Sequence, residues 1–192
     1  MKKGQLKIYL FRHGETTHNR DGIFTGSIDA KLTLKGKNHA KIIAKILKRK
    51  KFQAAIHTKL SRSKETLKQV LKYHPECVLI LEDNRITERN YGALQGMDHK
   101  KYIEKYGQGK YDEIHRGFYI RPPKGESFAD VEKRVMDFIK DLKKFMKKDN
   151  LNVAISAHGN SIRLFRKIME KTSVEETIKW SISYDKVFSY SV

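Results

Sequence analysis

Lys7-Ile8-Tyr9-Leu10-Phe11-Arg12-His13-Gly14 and Val153-Ala154-Ile155-Ser156-Ala157-His158-Gly159-Asn160 share one pattern: a short apolar run that stops abruptly at a histidine followed by a glycine. An apolar run without strict alternation is the mark of a strand buried on both faces, as in a parallel sheet. Three further runs read as strands: Phe52 to His57, Val78 to Leu81 and Val187 to Val192. Helical periodicity fills the spaces between them. Ala40, Ile43, Ala44 and Leu47 recur at helical spacing from Thr33, the cap, to Lys50. Leu67, Val70 and Leu71 mark a helix after Thr58 to Arg62, and Val131, Val135, Ile139 and Leu142 mark one from Ser127 to Met146. Ser127 with Asp130 forms a capping-box signature, and another helix runs from Ser161 to about Lys171. Strands alternating with helices predict a three-layer α/β fold, a mostly parallel sheet with helices on both faces, in a single domain over 1–192. The stretch 102–125 is the least regular and reads as an insertion or lid.

Composition bounds the rest. With 192 residues, 39% hydrophobic and 10% aromatic, the chain can bury one core of ordinary size. One cysteine, Cys77, cannot close an internal disulfide and reads as a small apolar residue beside Val78 and Leu79. No apolar segment approaches the roughly 20 residues that span a bilayer. The opening Met1-Lys2-Lys3-Gly4 has no signal-peptide core. The expectation is a soluble, cytoplasmic protein with no membrane partner. Lys and Arg number 41 against 22 acidic residues, a net charge of +19. Such a field attracts polyanions. Yet the cations are spread over outer helix faces (Lys41, Lys45, Lys48, Lys140, Lys143, Lys144, Lys147), and no nucleic-acid-binding module is visible. The charge reads as a solvated surface that steers small phosphorylated anions, with no nucleic-acid partner.

Ligands of open α/β sheets bind beyond the carboxyl ends of the strands, so His13 and His158 share one pocket if their strands are neighbours. The glycine after each allows close backbone approach. Arginines lie near both. Guanidinium matches phosphate bidentately, and a neutral imidazole attacks phosphorus with one nitrogen while the other is oriented by a hydrogen bond. Neighbouring Arg⁺ keeps such a ring neutral. Phosphoryl transfer asks for positioning and cationic stabilisation of the equatorial oxygens, which Arg12, Arg62 and His158 can supply. A carboxylic acid must then protonate the leaving oxygen.

Leu10-Phe11-Arg12-His13-Gly14-Glu15-Thr16-Thr17-His18-Asn19 resembles the opening signature of the histidine phosphatase superfamily. Phe24-Thr25-Gly26, Leu32-Thr33-Leu34-Lys35-Gly36 and Ser61-Arg62-Ser63 follow in the family's order. Thr87-Glu88-Arg89-Asn90-Tyr91-Gly92-Ala93-Leu94-Gln95-Gly96 and Ala157-His158-Gly159-Asn160-Ser161-Ile162-Arg163 resemble its cofactor-dependent phosphoglycerate mutase branch. The resemblance implies the phosphoglycerate mutase-like fold and interconversion of 3- and 2-phosphoglycerate, with 2,3-bisphosphoglycerate as the priming donor and no metal. It implies His13 as the phosphorylated nucleophile and Glu88 as general acid and base. Arg12, Arg62 and His158 would hold the transferring group, helped by Asn19, Gly159 and Asn160. Thr25 and Gly26 would touch substrate, and Arg89, Tyr91 and Arg116 would grip its other anionic end. No role falls to His18, His39, His57, His74 or His115.

The chain departs from the mutase pattern. Where that branch carries a lysine after Leu-Gln-Gly, the register falls on His99, with Lys100 beside it. An expected arginine pair reads His115-Arg116, and Arg121-Pro122-Pro123 runs to Gly125-Glu126-Ser127 without a long insertion. Fewer closing elements favour a phosphomonoester phosphatase on a small sugar phosphate or phospho-acid, the alternative to the mutase. A third reading, a non-catalytic polyanion binder, is disfavoured by the intact catalytic positions. A homo-oligomer is left open.

Overall fold

The computed structural model describes residues 5–192. Its elements follow the expected alternation: β1 (Lys7–Arg12), α1 (Thr17–Arg20), α2 (Leu34–Leu47), β2 (Ala54–His57), α3 (Ser61–Leu71), β3 (Leu79–Glu82), α4 (His99–Tyr106), α5 (Gln108–Arg116), α6 (Phe128–Asp149), β4 (Val153–Ala157), α7 (Gly159–Glu170), α8 (Val174–Thr177) and β5 (Val187–Ser191). The strands form one sheet in the order β3-β2-β4-β1-β5, parallel except for β5, which runs antiparallel to β1.

Alternate strand residues feed two cores. Ile8, Leu10, Ala54, Ile56, Val153 and Ile155 pack with Phe128, Val131, Val135 and Phe138 of α6 and Ile162 and Phe165 of α7. Tyr9, Phe11, Ala55 and Ala154 face Ile43, Ala44 and Leu47 of α2 and Leu67 and Val70 of α3. Each buried side chain of that size stabilises the fold by about 1.5–3 kcal/mol of apolar transfer, so both helix layers are held independently. The caps behave as their chemistry requires. Thr33 accepts from the N–H of Gly36, and Ser127 and Asp130 exchange both capping-box hydrogen bonds.

The register of β1 on β4 places the site. Arg12 pairs with Ala157, and the N–H of His13 donates to the carbonyl of Ala157 at 3.0 Å, so the residues leaving the two strands emerge side by side. The stretch 102–125, read as irregular, differs: α4 and α5 occupy most of it, α4 capped by Asp98, whose carboxylate accepts from the N–H groups of Lys100 and Lys101. Gly107, at φ 86° between the two helices, broke the periodicity that would have revealed them.

Gly14 and Gly36 face each other where the β1 exit meets the start of α2. A Cβ on Gly14 would sit 2.1 Å from the carbonyl oxygen of Gly36. Gly14→Ala is therefore expected to destabilise the protein by about 1–3 kcal/mol through overpacking against backbone. Thermal unfolding checks this, and an unchanged melting temperature contradicts the packing described.

Candidate active site

His13 is the first residue beyond β1 and His158 the last before α7. Their ring centroids lie 4.9 Å apart, and they are 2% and 0% exposed. Nδ1 of His13 lies 2.7 Å from the carbonyl oxygen of Gly14. A carbonyl only accepts, so Nδ1 carries the hydrogen and Nε2 keeps the lone pair. Burial, then the charges of Arg62 and Arg12, push the His13 pKa well below its ordinary value. Burial is also the first cause for His158, followed by Arg62 and His13, in the same direction. Both rings are neutral at physiological pH, the state a nucleophilic imidazole needs.

The cations around them are anchored in advance. Arg62, from the first turn of α3, is 1% exposed and donates from Nη1 to Ile28 O at 2.7 Å and from Nη2 to Gly26 O at 2.8 Å. Arg12 donates from Nη1 to Ile182 O at 2.8 Å and lies 4.0 Å from the Tyr184 ring centroid. His158 keeps Nε2 at 2.8 Å from Thr58 Oγ1. Nε of Arg12, Nε of Arg62 and Nδ1 of His158 are buried without a protein partner. Leaving such groups unpaired costs about 1–3 kcal/mol each, and an anion rich in acceptor oxygens is the ligand this cluster suits.

Glu88 stands beside this cluster. Its Oε1 accepts the backbone N–H groups of Arg89 at 2.8 Å and Asn160 at 3.1 Å, which fixes the carboxylate across the start of α7. Asn160 Nδ2 donates to the Tyr91 hydroxyl at 3.3 Å. A cavity of about 220 Å³ opens here, and Arg12, Asn19, Thr25, Gly26, Glu88, Tyr91, His99, Arg116, Gly159 and Asn160 all line it. His13 and His158 are not in that lining but are chain neighbours of its Arg12 and Gly159, and Arg62 donates to its Gly26.

Two expected contacts fall elsewhere. Arg89, assigned to grip substrate, is 0% exposed, and its donors are spent on the carbonyls of Glu126 at 2.6 Å, Ile114 at 3.0 Å and Ile120 at 2.9 Å. It fastens the wall behind the cavity. Lys100 is exposed on α4, while His99 turns inward, 4.1 Å from the Phe24 ring, with Nδ1 at 3.3 Å from the Tyr111 hydroxyl.

Other lining residues escaped the sequence reading. His115, given no role, lines the cavity, stacks on Tyr111 at 5.0 Å, and is pushed by burial and then Arg116 down to about 3. Arg163 lines it as well, and its Nη2 donates to Trp180 O at 2.8 Å. The signal for Arg163 was present, because three residues after Asn160 on a helix is the same face. Ser181 and Ile182 come from an irregular stretch with no periodic mark.

Residues 8–191 match the family model described as "Histidine phosphatase superfamily (branch 1)". A 2,3-bisphosphoglycerate-dependent phosphoglycerate mutase of Cytophaga hutchinsonii is 34% identical over 169 residues, 88% of this chain and 79% of the relative. Among solved structures, the alpha-ribazole phosphatase of Shigella flexneri superposes with a TM-score of 0.82 at 21% identity, covering 96% of this chain and 89% of that one. A mycobacterial glucosyl-3-phosphoglycerate phosphatase superposes at 0.81 and 18% identity, covering 98% of this chain and 97% of that one. The chain belongs to the histidine phosphatase superfamily. Its sheet and helix layers are the fold those structures share. Among the described residues, no cluster of metal-ligating side chains occurs, and no helix is long and apolar enough to cross a membrane.

The buried histidines tie stability to pH. His13, His158 and His115 resist protonation in the folded chain, whereas unfolded histidine takes up a proton near pH 6.5. The unfolded state then binds more protons, so stability is fully present above about pH 6.5 and falls below it. Each such ring costs about 1.4 kcal/mol per pH unit below that value. Thermal unfolding between pH 7 and 5 is expected to show a falling melting temperature, with a shallower fall in His115→Asn. A flat profile would mean these rings already protonate in the folded state.

Proposed function

We propose that this protein is a phosphoglycerate mutase that interconverts 3- and 2-phosphoglycerate through a phosphohistidine at His13. The reading rests on one observation: a single small cavity gathers Arg12, Arg116 and Arg163 around Glu88, and the His13–His158 pair is chain-adjacent to its lining residues Arg12 and Gly159. A small substrate that carries both a phosphate and a carboxylate suits that concentration of guanidinium groups. The name of the Cytophaga relative supports it.

In this scheme Nε2 of His13 forms a bond to phosphorus as the bond to the leaving oxygen breaks. Arg12, Arg62 and His158 hold the equatorial oxygens. Glu88 gives its proton to the departing alkoxide and takes one back when the other hydroxyl is phosphorylated. The priming donor is 2,3-bisphosphoglycerate. The unpartnered Nε groups of Arg12 and Arg62 and Nδ1 of His158 suit its phosphates, and it supplies the phosphoryl group that His13 carries.

The alternative is a phosphomonoester phosphatase acting on a small sugar phosphate or phospho-acid. It is favoured by His99 and His115, which burial holds neutral where a mutase grips the carboxylate with fixed cations. It also agrees with the phosphatases among the structural neighbours, although their identity of 18–21% speaks for the fold alone. Isomer formation and inorganic phosphate release, measured from 3-phosphoglycerate with and without 2,3-bisphosphoglycerate, separate the two. The expected result is bisphosphoglycerate-dependent isomer with little free phosphate. Rapid phosphate release with no isomer ends the mutase reading. Glu88→Gln is expected to slow turnover by roughly 100-fold or more, and an unchanged rate would place the proton donor elsewhere.

A further inference from the structure

Arg12 has a long, flexible side chain, so what it does at the site depends on how its planar guanidinium is oriented. Arg12 and Arg62 repel each other. Arg62 is tied by two carbonyls, those of Ile28 and Gly26. Arg12 has one tie, from Nη1 to Ile182 O at 2.8 Å, and its Nε is buried without a protein partner. A tether at one edge leaves the plane free to turn about it. An aromatic ring supplies the second constraint: the Tyr184 centroid lies 4.0 Å from Cζ of Arg12, well within cation–π range.

Tyr184 is held in turn. Its ring stacks on His39 of α2, with centroids 5.0 Å apart and planes 2° from parallel. Nδ1 of His39 accepts the N–H of Glu15 at 3.4 Å, and burial pushes its pKa down. An amide N–H only donates, so Nδ1 keeps its lone pair and the ring is neutral. It adds no second cation beside Tyr184. The segment that carries Tyr184 already serves the arginines of the cavity: Ile178 O accepts from Arg116, Trp180 O from Arg163 and Ile182 O from Arg12. Tyr184 is the next residue in that alternation and contributes its ring. Ser181 and Ile182 line the cavity and Tyr184 does not, so its route to a bound anion runs through Arg12.

We propose that Tyr184 is a positioning residue: its ring, backed by His39, holds the Arg12 guanidinium in the orientation that receives the phosphoryl group transferred at His13. The inference rests on Arg12 as a holder of that group, the role it has in the proposed function. It applies whether the final acceptor is a second hydroxyl or water. The ring makes both contacts, so phenylalanine can replace Tyr184 and an aliphatic side chain cannot. Small misplacements of a group that holds the transition state slow the reaction steeply.

Orthovanadate affinity, and the rate at which p-nitrophenyl phosphate labels His13, test this on the full chain. Tyr184→Phe is expected to match the wild type. Tyr184→Leu is expected to lose about 5–30-fold in both, the worth of a desolvated cation–π contact, with unchanged far-UV circular dichroism. His39→Leu leaves Tyr184 in place without its backing ring, and a smaller loss in the same direction is expected. Coupling to Arg12 is the readout that a mere packing role would not move. In an Arg12→Met background no cation remains to orient, and Tyr184→Leu is expected to add less than about twofold. Fully additive losses would overturn the proposal, as would equal losses in Tyr184→Phe and Tyr184→Leu. Wild-type vanadate affinity in folded Tyr184→Leu or in His39→Leu would do the same. A strong Arg12→Met defect beside a silent Tyr184→Leu sinks this inference alone. Arg12→Met that binds and labels as the wild type does removes Arg12 from the proposed function, and this inference with it.

Discussion

Everything at the site follows from the register of β1 against β4. Arg12 stands opposite Ala157 and the next residue of each strand is a histidine, so the two imidazoles meet 4.9 Å apart at the carboxyl end of the sheet. The same parallel pairing buries them. Burial is the first cause of both depressed pKa values, with neighbouring guanidinium groups adding to it. A slip of one residue would turn one ring to the opposite face and separate the pair. The chemistry is therefore a property of strand packing before it is a property of any loop.

A second constraint closes the site from above. Arg116, Arg163 and Arg12 donate to the carbonyls of Ile178, Trp180 and Ile182, alternate residues of one irregular stretch. The carbonyls orient cations that would otherwise repel one another, and the cations hold down a segment with little regular structure of its own. Arg89 does the same from inside, tying Ile114, Ile120 and Glu126 behind the cavity. Guanidinium suits these tasks because one planar group reaches several acceptors at once.

The fold was legible because apolar runs and helical spacing agreed along the chain. All five strands lie where those runs stood, and Thr33 and Ser127 cap the helices they precede. The central site residues were legible because the two His-Gly strand exits, with arginines near both, point to phosphate chemistry. Four features were not. Glycines at Gly107 and Gly109 hid α4 and α5. Sequence pattern cannot tell an arginine that meets substrate from one consumed by carbonyls, which is why Arg89 was placed in the cavity. Nor could it show that His99 turns inward while Lys100 faces solvent, since adjacent helical residues differ by about 100° of rotation. His115 looked ordinary because α5 folds it against Phe24 and His99, contacts between elements that no local pattern encodes.

The central claim is that a neutral His13 ring, held by Gly14 through Nδ1, presents Nε2 as the nucleophile. The most direct test is to trap the phosphoenzyme with 2,3-bisphosphoglycerate or a reactive phosphomonoester, then map the modified residue and its isomer by mass spectrometry and ³¹P NMR. An acid-labile phosphate on Nε2 of His13 is the predicted result. A phosphate on Nδ1, on any other residue, or no covalent intermediate during turnover would contradict it.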